Sequence, residues 1–519
     1  MKKAIYLIIA LIGLSAPSCS DSMLDFSPTD SGSGKELLKS ASTAITSVNG
    51  VYRSMWTAGW STTANTHQCF GIAAYNLALD CMADDLIMQS QGNGWFWGDH
   101  CYNVKSNYTS SAFRSYDVWY ANYKWIANVN YIIDAEPEMA GTEADVAYVA
   151  GQAYAIRALC YLNLATWFSR APYNSLTGAS RWNEPCVPVY TTGTSIDTGG
   201  QPRESLRTVY GRIDQDIDRA IELLDKARET TLAENNKSHI NLYVALGIKS
   251  RACLAEGDWD GAFKAAKRVI DEGGYAVGTK SDLTGGMNSL DKQNVMWGAG
   301  IQVADQAGGY AGFFTHMDNK EGAYAKSAPK LISKQLYNRI SATDIRRDWW
   351  DPSDKESPYV SKKFSFANVA SFLGDYIYMR VEEMYFTAAE AALRLDDLKS
   401  ARELMNTVMA ERDPGYSANN RSGTLLGATT TTWTGSFLEN ILTHRRIELW
   451  GEYGRLFDVR RLGQGIDRRT DDGFSEECIS MMNRRNVNIT KADTYDWVLT
   501  IPKAELDANP NINEEDQNP

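Results

Sequence analysis

The sequence predicts a mainly α fold, a scaffold of helix hairpins with large irregular loop regions between them, and three observations predict it. The first is the stretch 375–412, which reads as two amphipathic helices. Ile377, Val381, Met384, Tyr385, Ala388, Ala392 and Leu395 recur every three or four residues, and Leu398, Ala401, Leu404, Met405 and Val408 do the same. Only Asp396 and Asp397 stand between them, so the pair folds back as an antiparallel hairpin. The second is the same turn at 257–262, where Trp259 takes the place of Leu398 and Ala262 that of Ala401. The third is a looser helical pair, 151–168 and 205–226. A tyrosine, a small residue, a tight acidic turn, an aliphatic residue and then an alanine is the layout of a tetratricopeptide unit. Three stacked hairpins are about the minimum that buries a continuous core.

In chain order, the first element is a leader. Lys2 and Lys3 precede an apolar run from Ala4 to Leu14, too short for a final membrane span, and small residues lead to Cys19. Residues 1–18 therefore read as a signal peptide. Cys19, followed by Ser20 and Asp21, resembles a bacterial lipoprotein acylation site, with Ala16 departing from the usual leucine. The competing reading is an ordinary cleaved leader with a bystander cysteine. Lipidation at Cys19 would anchor the body through a flexible tether, residues 19–34. No later segment is apolar enough to cross a membrane. Residues 35–519 read as one domain.

Residues 35–57 read as a helix carrying Leu37, Leu38, Ala41, Ile45, Val48 and Tyr52. Residues 58–108, rich in Gly, Asn, Ser, Trp and Tyr, keep no sustained period beyond an apolar run at 72–82, and read as loops over a scaffold. Helix returns at 115–133, aromatic-heavy, with Trp119, Tyr123, Ile126 and Val129 on one stripe. Residues 169–201 read as loop and 274–326 as a second irregular region holding a short strand at 295–303. Helix is expected again at 327–338. The last regular unit is 436–462, after which the chain is polar and irregular. In that unit Arg445 and Arg446 fall on the apolar stripe, and a buried guanidinium needs a carboxylate partner. Glu382, Glu383, Glu390 and Glu448 are the candidates, unless both arginines lie on a solvated face.

The formal charge of −12 argues against nucleic acid, whose binding needs clustered Lys and Arg. Beyond Cys19 the seven cysteines form no CxxC or zinc spacing, and an odd number cannot all pair. Cys160 and Cys253 sit in helical patterns as small hydrophobes. Cys69, Cys81 and Cys101 share one loop-rich region that has room for a disulfide.

With these residues assembled, the chain resembles the SusD-like (RagB/SusD) family of outer-membrane nutrient-binding lipoproteins over nearly all its length. The resemblance rests on the segments 327–348 and 378–391. It rests also on Arg445-Arg446-Ile447-Glu448-Leu449, on Gly454-Arg455-Leu456-Phe457-Asp458-Val459-Arg460-Arg461, and on a tail carrying Ile501-Pro502-Lys503 and Gln517-Asn518-Pro519. His444 departs from the family's usual acidic residue and Glu382 from its usual small one. The resemblance implies four tetratricopeptide-like helix pairs with the irregular segments packed on one side. It implies a glycan, or sometimes peptide, ligand, and a partner, a SusC-like TonB-dependent outer-membrane transporter that the protein covers as a lid. It implies a place on the cell exterior, lipid-anchored.

Sugars present C–H faces to aromatic rings and hydroxyls to planar polar groups, so a sugar-binding surface wants Trp or Tyr beside Asn, Asp or Gln on loops. The segment 91–102 meets this best, with Asn93, Trp95, Trp97 and Tyr102. Trp95 and Trp97 alternate, so in an extended loop they share a face; the opposing reading has both rings filling the space beneath the loop. Asp85 is a hydroxyl acceptor nearby, and Tyr310, with Phe313 and Phe314, forms a second aromatic group among glycines. The adjacent Trp349 and Trp350 read as packing. The sequence carries no HExxH, GxSxG or phosphate loop and picks no carboxylate pair, so no catalytic, metal or cofactor residue is assigned. A non-enzymatic glycan-binding protein is the expectation. The alternatives are a helical-repeat scaffold binding only protein and a surface glycoside hydrolase.

Overall fold

The computed structural model describes residues 34–57, 66–103, 113–195, 197–233, 237–303, 311–492 and 494–519. The leader, Cys19 and Tyr310 lie outside the described residues. The chain is mainly α. Its principal helices are α1 (Ala41–Ser54), α2 (Ile72–Met82), α3 (Phe113–Ala135), α4 (Glu143–Phe168), α5 (Leu206–Lys226), α6 (Leu242–Glu256), α7 (Trp259–Glu272), α8 (Val381–Arg394), α9 (Leu398–Ala410), α10 (Phe437–Glu448) and α11 (Arg455–Leu462). From α3 to α9 each helix packs on the next, and α8 also packs on α10.

The repeated turn has one geometry in both places. Gly257 ends α6 with φ 76°, and Asp396 occupies the equivalent left-handed position with φ 63°. The next residue caps the following helix: Asp258 accepts from the Gly261 amide at 3.0 Å, and Asp397 from the Ser400 amide at 3.0 Å. Ala262 and Ala401 are fully buried, so both hairpins close tightly.

Three expectations are corrected. Residues 376–380 are not the start of α8 but a strand, Tyr376–Arg380, antiparallel to Val295–Ala299. Its aromatic and β-branched run pairs there, so Ile377 belongs to a sheet. Residues 327–338 hold only a two-residue strand, Leu331–Ile332, and one helical turn, Lys334–Tyr337. The tail after 462 is partly helical, with Glu476–Arg484 and Lys503–Ala508. The apolar run 72–82, read with its surroundings as loop, is also corrected: it is a helix buried nearly all round.

Charged residues are unusually deep. Glu448 is fully buried and accepts from three guanidinium groups: Arg346 at 3.0 Å, Arg380 at 2.9 Å and Arg412 at 2.9 Å. Burial pushes its carboxyl up, but Arg412, Arg380 and Arg346 outweigh that and hold it well below the usual range. Arg445 pairs with Asp458 at 2.8 Å and, more distantly, with Glu383 at 3.6 Å. Arg446 takes neither of those nor any other carboxylate expected of it. Its partners are Asp84 at 2.9 Å and Asp85 at 2.5 Å, just beyond the C-terminus of α2. Both positions at which the sequence departs from the family it resembles feed the network. Glu382 receives Arg412 at 2.8 Å, and His444 Nδ1 receives Arg346 at 2.9 Å. Since Arg346 only donates, that nitrogen carries no proton, and burial together with Arg346 holds the ring neutral. All seven cysteines from Cys69 to Cys478 are buried, free thiols.

Candidate functional site

The strand Leu86–Ile87 pairs with Leu331–Ile332 and so brings the loop after it beside the short helix Ala323–Ser327. Gly92 (φ 53°) makes the approach possible, because a Cβ there would meet the Ser327 carbonyl oxygen at 2.4 Å. Asn93 then bridges the two elements. Its side-chain Oδ1 accepts from the Trp95 amide at 3.1 Å, and its Nδ2 donates to the Tyr324 carbonyl at 3.4 Å.

This places Trp95 in a group of three half-buried rings. Trp95 stacks on His67, centroids 4.9 Å apart at 22°, and Tyr324 closes the group at 6.0 Å from Trp95. The Tyr324 hydroxyl and His67 Nδ1 are hydrogen-bonded at 2.7 Å. Beneath lie Phe70, Phe96 and His316, all buried. His316 joins floor to rim through its Nε2 and the His67 carbonyl at 2.6 Å. Burial and Lys330 hold His316 well below the ordinary histidine range, so it stays neutral and donates from Nε2. A rigid, aromatic, partly open surface with amide and phenol groups at its edge suits a ring with apolar faces and hydroxyl edges. A cleft of about 790 Å³ is lined by Lys320, Glu321 and Lys326, from the segments flanking Tyr324 in the chain, and by Asp351, Asp354 and Glu356.

Several expected site residues lie elsewhere. Trp97 is 3 % exposed and Tyr102 fully buried. The shared face of Trp95 and Trp97 fails because the chain is not extended there. Phe96 adopts a left-handed conformation (φ 62°), and Trp97–His100 is a helical turn pointing the second indole inward. Asp99 in that turn is clamped by Arg114 of α3 at 2.7 Å, both fully buried. Tyr102 donates its hydroxyl to the Met82 carbonyl at 2.7 Å and packs under Arg468, closing the end of α2. Asp85, 2 % exposed, is occupied by Arg446. Phe313 and Phe314 are also buried, and Tyr310 lies outside the described residues. Trp349 and Trp350 are packed, as expected.

Two rim residues escaped sequence reasoning. His67 and Tyr324 are 257 positions apart and belong to no motif. Glycine near Tyr324, at Gly322, is the only local signal either carries.

Comparison with known proteins comes out consistently. A family model described as the SusD family matches residues 326–519, and one described as starch-binding, associating with outer membrane, matches residues 43–254. No curated protein matches. Among solved structures, a SusD-like carbohydrate binding protein from Bacteroides vulgatus is 25% identical with a TM-score of 0.72, over 92% of this chain and 98% of its own. A SusD superfamily protein from Bacteroides thetaiotaomicron is 22% identical with a TM-score of 0.72, over 92% and 100%. Surface glycan-binding protein A from Bacteroides thetaiotaomicron, solved with laminarihexaose, is 16% identical with a TM-score of 0.64, over 92% and 99%.

Proposed function

Since this chain belongs to the SusD-like family, we propose that it is a surface lipoprotein that captures glycans without cleaving them and passes them to a SusC-like TonB-dependent transporter in the outer membrane. The observation that carries the reading is the half-buried group of Trp95, His67 and Tyr324, held by Asn93. The laminarihexaose bound by a structural relative supports a glycan as the ligand class, and the description of the second family model supports the outer membrane. In this reading residues 1–18 are removed, Cys19 is acylated, and residues 19–34 tether the folded domain. The described residues contain no helix long and apolar enough to cross a membrane.

Binding alone needs little affinity. A dissociation constant in the micromolar-to-millimolar range, about −8 to −4 kcal/mol, suffices where a lid and a pore hold one ligand together at high effective concentration. The test is a glycan array read with the soluble chain from residue 20, followed by a reducing-end assay on each glycan bound. The expected result is retention of a defined oligosaccharide class with no new reducing ends. A silent array contradicts glycan capture, and released reducing ends contradict the non-enzymatic reading.

A further inference from the structure

A second aromatic cavity lies along α3, away from the loop residues of the site above. We propose that it is a separate subsite for a single neutral sugar ring. It has a volume of about 460 Å³ and lies between α3 and the segment that carries Tyr190, Thr194, Ser195 and Thr198. That is within the range of small-ligand cavities, about 300–1,000 Å³. It shares no residue with the Trp95 group.

Its walls are aromatic and fixed in advance. Tyr123 donates its hydroxyl to the Pro188 carbonyl at 2.7 Å, and the Tyr190 hydroxyl accepts from the Gln201 amide at 3.0 Å. Their rings meet edge to face, centroids 5.9 Å apart at 89°. With the phenol ends tied to backbone, little side-chain freedom remains to be lost on binding. One polar group is fixed as well. Glu505, on the turn Lys503–Ala508, accepts from Trp119 Nε1 at 3.2 Å and from Asn509 Nδ2 at 2.8 Å, and it lines the cavity. Thr194 and Thr198 add hydroxyls from the facing loop.

Ring faces, a fixed carboxylate and hydroxyls at the rim match a pyranose, which offers C–H faces and hydroxyl donors together. A purely apolar ligand would strip water from the carboxylate and leave its remaining lone pairs unsatisfied. The lining carries one carboxylate, Glu505, and one ammonium, Lys124, which balance, so a neutral ring suits it. The stripe of Trp119 and Tyr123 seen in the sequence thus lines a binding surface as well as core.

The choice of sugar as ligand rests on the glycan-binding reading above, so the test separates the two. One array of immobilised oligosaccharides, laminarihexaose among them, is read with four proteins: wild type, Trp95→Ala, Ala127→Trp and Glu505→Gln. Ala127→Trp plugs the cavity from α3; if it lowers the melting temperature, Thr198→Trp plugs it from the exposed loop instead. The expected result is that Trp95→Ala keeps a residual neutral-glycan signal, and that the plugged protein and Glu505→Gln each lose at least threefold of signal. Binding abolished by Trp95→Ala alone, with the plugged and Glu505→Gln proteins unchanged, overturns the subsite and leaves the first site standing. An array silent with all four overturns both.

Discussion

Glu448→Ala is expected to destabilise the protein by about 3–5 kcal/mol, the largest effect of any single carboxylate change here. Glu448 is fully buried, and so are the three arginines it serves. Arg346 keeps Asp344 at 2.7 Å, Arg380 keeps Glu452 at 2.7 Å and Arg412 keeps Glu382 at 2.8 Å. Even so, Arg346 and Arg380 each lose one charge-assisted bond and Arg412 loses two, in a setting where water cannot replace them. The exposed pair Lys264–Asp260 is the control. Both side chains are well over half exposed, and removing either should cost less than about 0.5 kcal/mol. Urea unfolding of the two variants beside wild type measures the difference. The network also sets the acid limit. Glu448 is held well below its ordinary value, and Asp84 is held down to about 2 by Arg455 and Arg446 against the upward push of burial. A depressed folded-state pKa contributes stability that is fully present above the unfolded value, about 4. That stability is lost as pH falls through the folded value. Wild type is therefore expected to lose stability from about pH 4 downward, and Glu448→Ala to lose less over the same interval.

Arg446→Ala is expected to cost about 3 kcal/mol and to loosen the ligand loop as well. Its guanidinium holds Asp84 and Asp85 together, and Arg455, at 3.1 Å from each, is the cation left to them. The Asp85 carbonyl accepts from Trp450 Nε1 at 2.8 Å and from the Ser333 amide at 3.0 Å. The strand Leu86–Ile87 and the loop bearing Trp95 follow directly from it. Urea unfolding gives the stability change. Hydrogen exchange is expected to rise most at the amides of Leu86–Ile87 and Leu331–Ile332. Rise confined to α10 would contradict the link to the loop.

The helix hairpins were legible because their information is local. An apolar period of three to four residues, a two-residue acidic turn and an alanine after it suffice to draw α6 to α9. The strand at Tyr376–Arg380 was not, because its partner at Val295–Ala299 lies some eighty residues away and only the pairing distinguishes it from a helix start. Arg445 and Arg446 were recognisable as buried charges needing carboxylates. The identity of those carboxylates depends on which helix end packs beside them, which periodicity does not encode. The same limit governs the site. Trp95 stood out among glycines, yet its partners His67 and Tyr324 come from distant segments. Trp97 and Tyr102 turned inward at two left-handed residues, Phe96 and Tyr102 itself, neither of them a glycine that would have marked the turn.

Isothermal titration of wild type and Trp95→Ala with an oligosaccharide retained on the array bears most directly on the claim that the Trp95–His67–Tyr324 group captures the ligand. Trp95→Ala is expected to weaken the tighter binding phase at least tenfold, about 1.4 kcal/mol, with an unchanged melting temperature. Unchanged affinity in a folded Trp95→Ala protein would contradict it.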